Sequence, residues 1–100
     1  MDDTIGIKLP TGMVSAKCVS IVRRHTPLSI SEIRDAAEND RYIMVFDGAL
    51  EEGPRKIVAL YDELHASGVQ VRAFDFDEPC DIEIIRNMVE LYRGIYGDKE

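Results

Sequence analysis

MVSAKCVSIVRRHTPLSISEIRDAAEND, residues 13–40, reads as two helices joined by a tight corner. Val14, Cys18, Ile21 and Val22 fall at i, i+4, i+7 and i+8, one apolar helical stripe. Lys17, Val19 and Ile21 also alternate, as in a strand. The helix gathers the apolar groups better and leaves Lys17, Ser20 and Arg24 outside. Arg23, Arg24 and His25 close its last turn, where cations offset the partial negative charge of exposed carbonyls. Pro27 stops simple continuation. Ser29 followed by Glu32 makes a capping box, so a second helix starts there. Ile30, Ile33, Ala36 and Ala37 form its inner face, and Asn39 and Asp40 end it.

The flanks alternate between strand and helix signals. Residues 4–9 (TIGIKL) place Ile5, Ile7 and Leu9 on one side, the period of a half-buried strand, and Pro10, Thr11 and Gly12 end it. Residues 41–47 (RYIMVFD) are almost continuously apolar, which suits a central strand covered on both faces. Residues 48–53 read as a polar loop, with Pro54 at the first position of a third helix. Ile57, Leu60, Tyr61 and Leu64 are that helix's stripe, and Gly68 its left-handed stop. Residues 69–76 (VQVRAFDF) read as a third strand. Asp81 caps a last helix with Ile82, Ile85, Val89 and Tyr92 on one side, ended by Gly97. The expected fold is therefore α/β, an α+β sandwich. It has a three-stranded sheet with helices packed on it, in the order β-α-α-β-α-β plus a C-terminal helix. One hundred residues without linker or repeat make a single domain.

Lys and Arg number 12 and Asp and Glu 19, for a net charge of −7 and a pI near 4.8. That sign argues against non-specific nucleic-acid binding, which needs a cationic surface. Residues 1–50 hold 6 basic and 7 acidic groups, and residues 51–100 hold 6 and 12, so the second half carries −6 of the −7. A partner steered by charge would be basic and meet that half; the plainer reading is solubility. Cys18 and Cys80 stand 62 positions apart with no motif linking them. No apolar segment suits a signal peptide or membrane span, so the expectation is a cytoplasmic protein with reduced thiols.

The segment KCVSIVRRHTPLSISEIRDAAEND resembles the first helical hairpin of the C-terminal domain of the bacterial ribosomal stalk protein. That family carries a Val/Ile-rich helix ending in Val-Arg, a Thr-Gly-Leu corner and a helix with a Lys-Glu-Ala-Lys-Asp type segment. Here these are matched by Ile21-Val22-Arg23, Thr26-Pro27-Leu28 and Ser31-Glu32-Ile33-Arg34-Asp35. TIGIKL is similar to the family's first strand, and LYDELHASGVQVRAF to its final helix, glycine and strand. The likeness spans roughly residues 4–76. The family's N-terminal dimerisation region and hinge have no counterpart, residues 41–53 are longer and more strand-like, and the helix at residues 81–96 is additional. The adaptor of the Clp protease has a related fold, but its substrate-binding pattern is absent.

In the stalk family the first helix pair meets translation GTPases. The resemblance places that contact on Ala16, Cys18, Val19, Ser20, Arg23 and Arg34, with Ser20 standing where the family has a lysine. Ala16, Val19, Ser20 and Arg23 are spaced i, i+3, i+4, i+7, a face distinct from the core stripe. Partner binding there competes with an ordinary polar helix face bearing one surface valine.

Signals for catalysis are poor. His25 follows two arginines at a helix end and His65 lies beside acidic neighbours; both read as surface histidines. Two Cys and two His show no zinc spacing. Residues 48–53 lack the Gly-Lys-Ser/Thr ending of a phosphate loop and contain Glu51 and Glu52. Asp75, Asp77, Glu78, Asp81 and Glu83 form the densest acidic cluster, with Asp75 and Asp77 on one side of a strand. They read as a solvated cap for the last helix, as a surface for a basic partner, or as carboxylates of a metal-dependent enzyme. The leading expectation is a non-enzymatic protein-binding module without cofactor. It contacts a translation factor or similar GTPase through Ala16, Val19, Ser20, Arg23 and Arg34. The alternative is an acidic immunity or antitoxin-type inhibitor of a basic toxin. Ile84, Ile85, Met88, Val89, Leu91, Tyr92, Ile95 and Tyr96 give the last helix more apolar surface than one stripe needs, which points to a homodimer through residues 81–96.

Overall fold

The computed structural model describes residues 4–11, 14–47 and 52–92. The chain runs β1 (Thr4–Lys8), α1 (Ala16–His25), α2 (Ile30–Glu38), β2 (Tyr42–Asp47), α3 (Glu52–Ala66), β3 (Arg72–Asp75), β4 (Glu78–Cys80) and α4 (Ile82–Tyr92). The strands form one antiparallel sheet in the order β2-β1-β3-β4. The mixed α/β architecture with four helices is as expected, but the sheet has four strands rather than three.

The fourth strand comes from a hairpin that alternation alone conceals. Residues 69–71 stand outside β3, which ends at Asp75. Phe76 and Asp77 then adopt left-handed backbone, φ 55° and 63°, and fold Glu78–Cys80 back on β3. Positive φ at both central residues is the signature of the tight hairpin turn whose twist matches its strands. Asp75 and Asp77 are therefore not successive residues of one strand face, and Cys80 is a half-buried strand residue packed against the core.

β1 lies at the centre of the described core. Ile5, Ile7 and Leu9 are fully buried against Cys18, Ile21 and Val22 of α1, Ile33 and Ala37 of α2, and Ile57, Leu60 and Leu64 of α3. Ile82 and Ile85 of α4 join the same cluster, and α4 lies along α3.

β2 is an edge strand, contrary to the central position expected from its composition. Ile7 pairs with Met44 and Lys8 with Tyr42, so Ile43 is the extra residue of a bulge. Ile43 and Met44 are both buried, while Tyr42 and Val45 share the open face. The continuous apolar run thus reflects a phase change within one half-buried strand.

The other expectations shift at element ends. Ser15 caps α1, its Oγ accepting from the Cys18 N–H at 3.1 Å, so Val14 precedes the helix. The capping box at Ser29 and Glu32 is formed in both directions, at 3.2 and 2.8 Å. α3 already includes Glu52 and Gly53, which places Pro54 inside the first turn, not at its first position. Gly68 takes φ 87° after α3. Residues 48–51, Ile95, Tyr96 and Gly97 lie outside the described residues.

Candidate functional site

The corner between α1 and α2 is pinned by local hydrogen bonds. Thr26 donates from both its N–H (2.9 Å) and its Oγ1 (3.0 Å) to the Val22 carbonyl, and the Leu28 N–H reaches Thr26 Oγ1 at 3.3 Å. These satisfy orphan groups at a helix end and fix the angle at which α2 leaves. On the other side of α1, His25 Nε2 lies 2.7 Å from Glu63 Oε1 of α3, and Arg24 pairs with the same carboxylate. His25 is half-buried and tied to α3, not a free surface histidine.

Between the two helices lies an open groove of about 410 Å³, lined by Ala16, Val19, Ser20, Arg23 and Arg24 of α1 and Ile30 and Arg34 of α2. Five of these, Ala16, Val19, Ser20, Arg23 and Arg34, are the residues singled out from the sequence. One correction concerns Val19. It is only 5% exposed and belongs to the core, so it is groove floor rather than a protruding contact. Cys18, the sixth residue of the resemblance, is buried and does not line the groove; burial raises its thiol pKa. Ile30, assigned to the inner face of α2, is 45% exposed and supplies accessible apolar surface at the groove.

The charges around the groove are unusual for this molecule. Among the described residues, Lys8, Arg24, Arg41, Lys56, Arg72 and Arg86 each face a carboxylate. Arg55 is also engaged. The described cations that form no ion pair are Lys17, Arg23 and Arg34, all on α1 and α2, and two of them line the groove. An acidic chain thus presents two arginines without a described ion pair, Arg23 and Arg34, beside the exposed apolar surface of Ile30.

The acidic residues of this region are held in different ways. Asp75 stands opposite Ile5, on the helix side of β3. Asp77 sits at the hairpin turn and accepts from the Tyr42 hydroxyl at 2.6 Å. Asp81 Oδ1 accepts from the Glu83 N–H at 3.0 Å at the start of α4, as a helix cap. Glu83 faces Arg86 at 3.2 Å, and Arg86 also bridges to Asp62 of α3 at 2.5 Å. Glu78 is exposed on edge strand β4. Among the described residues no three His, Cys, Asp or Glu side chains are grouped to hold a metal ion. His65 is exposed and stacks on Tyr61.

A second cluster occupies the sheet face away from the helices. Lys8 Nζ stands 4.9 Å from the Tyr42 ring centroid and 4.6 Å from that of Phe74, and the two rings meet edge to face at 5.7 Å. Asp40 accepts from Arg72 at 2.8 Å and faces Lys8 at 3.5 Å. Arg72 also donates to the Leu9 carbonyl at 2.7 Å. Burial, then the bond to Asp77, raises the Tyr42 pKa. Phe74 is left only 5% exposed, so this cluster covers its ring. Residues 8, 72 and 74 share a face by strand alternation; Asp40 and Asp77 arrive from turns whose course the sequence does not signal. Comparison with protein-family models, curated proteins and solved structures finds no match to this chain.

Proposed function

We propose that this chain is a non-enzymatic protein-binding module that receives its partner in the α1–α2 groove. The observation that carries the reading is the coincidence of an apolar lining with Arg23 and Arg34, arginines without an ion pair among the described residues. Such a groove suits an apolar side chain flanked by carboxylates: the apolar contact supplies affinity, and the charges orient the encounter. The resemblance of residues 4–76 to the stalk-protein domain adds a class of partner, a translation factor or similar GTPase. Arg23 and Arg34 keep a cation at matched positions, while Ser20 removes one.

Titration of the protein into purified translation GTPases, followed by calorimetry at low and high salt, tests this. Binding that weakens with salt and is lost in Arg23→Glu supports the reading. Binding lost instead in Asp77→Asn/Glu78→Gln, with Arg23→Glu indifferent, assigns the molecule to the acidic inhibitors. Failure of every GTPase, combined with Arg23-independent capture of a basic protein from the native cell, overturns the groove reading.

A further inference from the structure

The two edges of the sheet are protected unequally. β4 is three residues long and contains Pro79, which has no N–H to offer a neighbouring strand. β2 is twice that length, contains no Pro, Gly or Lys, and pairs only with β1 among the described residues. Near its middle Val45 is 47% exposed on the open face. An apolar edge of this kind is a template for another strand. On its helix side a groove of about 580 Å³ runs between Leu28, Ser31, Glu32, Asp35 and Ala36 and the start of β2 at Arg41 and Tyr42.

We propose that β2 pairs antiparallel with β2 of a second copy about a two-fold axis at Val45, joining two four-stranded sheets into one of eight. The register follows from the faces. With the axis at Val45, each Val45 covers the other on the open face, and Met44 meets Phe46 on the helix face. A shift by one residue opposes Val45 to a residue of the other face. A shift by two sets it against Asp47 or against Ile43, whose bulged position turns it into the core. The axis at Val45 matches apolar to apolar over residues 44–46, and Asp47 falls opposite Ile43, which the bulge turns into the core. This inference does not rest on the α1–α2 groove, and it places self-association on β2, not on α4.

Sedimentation velocity over a wide concentration range tests it, with hydrogen exchange of residues 43–46 as a second reading on the unmodified protein. The expected result is a reversible dimer, with slower exchange in β2 as concentration rises. Val45→Lys sets like charges against each other and weakens the dimer by roughly tenfold or more. Leu91→Lys on α4 leaves it unchanged. A monomer at every concentration, a dimer indifferent to Val45→Lys, or one lost in Leu91→Lys overturns the proposal. So does concentration-independent exchange in β2, which holds even if the lysine variant fails to fold.

Discussion

Gly6 marks the point where the open sheet face has no room for a side chain. A Cβ there would lie 2.7 Å from Tyr42 Cδ1 and 2.9 Å from the Met44 carbonyl oxygen. The ring has some freedom, but the carbonyl belongs to the strand ladder. Gly6→Ala is therefore expected to destabilise by about 1–3 kcal/mol, the usual range for overpacking. It should shift the denaturant midpoint without changing the slope. An unchanged midpoint would mean that Tyr42 stacks less tightly than the geometry requires. Asp40 makes a second prediction on the same face. The hydrogen bond from Arg72, aided by Lys8, holds its carboxyl below the ordinary value of 3.8. A lowered carboxylate pKa contributes stability above the unfolded value and loses it as pH falls through the folded one. Asp40→Asn should thus flatten the acid limb of the stability profile below about pH 4, measured by urea unfolding across pH. Neutral stability should fall by the same small amount by which the acid limb flattens, small because Asp40 is exposed.

At the scale of elements, the parts that could be read from the sequence are those with a local cause. Ser29 and Glu32 form their box within one turn, and Gly68 ends α3 where its φ is positive. The parts that could not be read depend on contacts distant in sequence. Gly53 looked like loop punctuation, yet it is buried inside the first turn of α3, where a Cβ would stand 2.7 Å from Phe46 Cβ. It is glycine for close approach between α3 and β2. The β3–β4 turn has no such local mark, because Phe76 and Asp77 carry no Gly or Asn signal, although both have positive φ. The candidate groove divides in the same way. That Ala16, Val19, Ser20 and Arg23 share one face of α1 is a matter of helical spacing, whereas the exposure of Ile30 depends on how α2 leaves the corner. Phe76 gives this scale its prediction. A bulky residue in left-handed backbone costs about 1 kcal/mol or more, and this ring is 50% exposed. Asn tolerates that conformation. Phe76→Asn should raise stability by about 0.5–1 kcal/mol and tighten the hairpin, seen as a higher melting temperature and slower exchange in β4. A lower melting temperature would mean that the ring contributes more burial than the turn loses in strain.

For the whole molecule, charge is the property that separates fold from function. The net charge of −7 is spread over a surface on which most described cations already face a carboxylate, and several of those pairs tie elements together. Arg24 and His25 hold α1 to α3 through Glu63, while Arg86 holds α4 to α3 through Asp62. Arg23 and Arg34 make no ion pair with the rest of the described molecule. Their removal should therefore leave the fold as it is. Arg23→Glu/Arg34→Glu is expected to stay within about 1 kcal/mol of the parent in chemical denaturation, the cost of reversing one charge in the last turn of α1. Arg86→Ala should cost more, because it releases Asp62 and Glu83 together and loosens α4. If the double arginine variant instead unfolds as readily as Arg86→Ala, the arginines hold the α1–α2 corner. Loss of partner binding on their reversal would then report damage to the hairpin. If the order holds, the same variant isolates the groove: a fold unchanged in stability, from which only the positive rim has been removed.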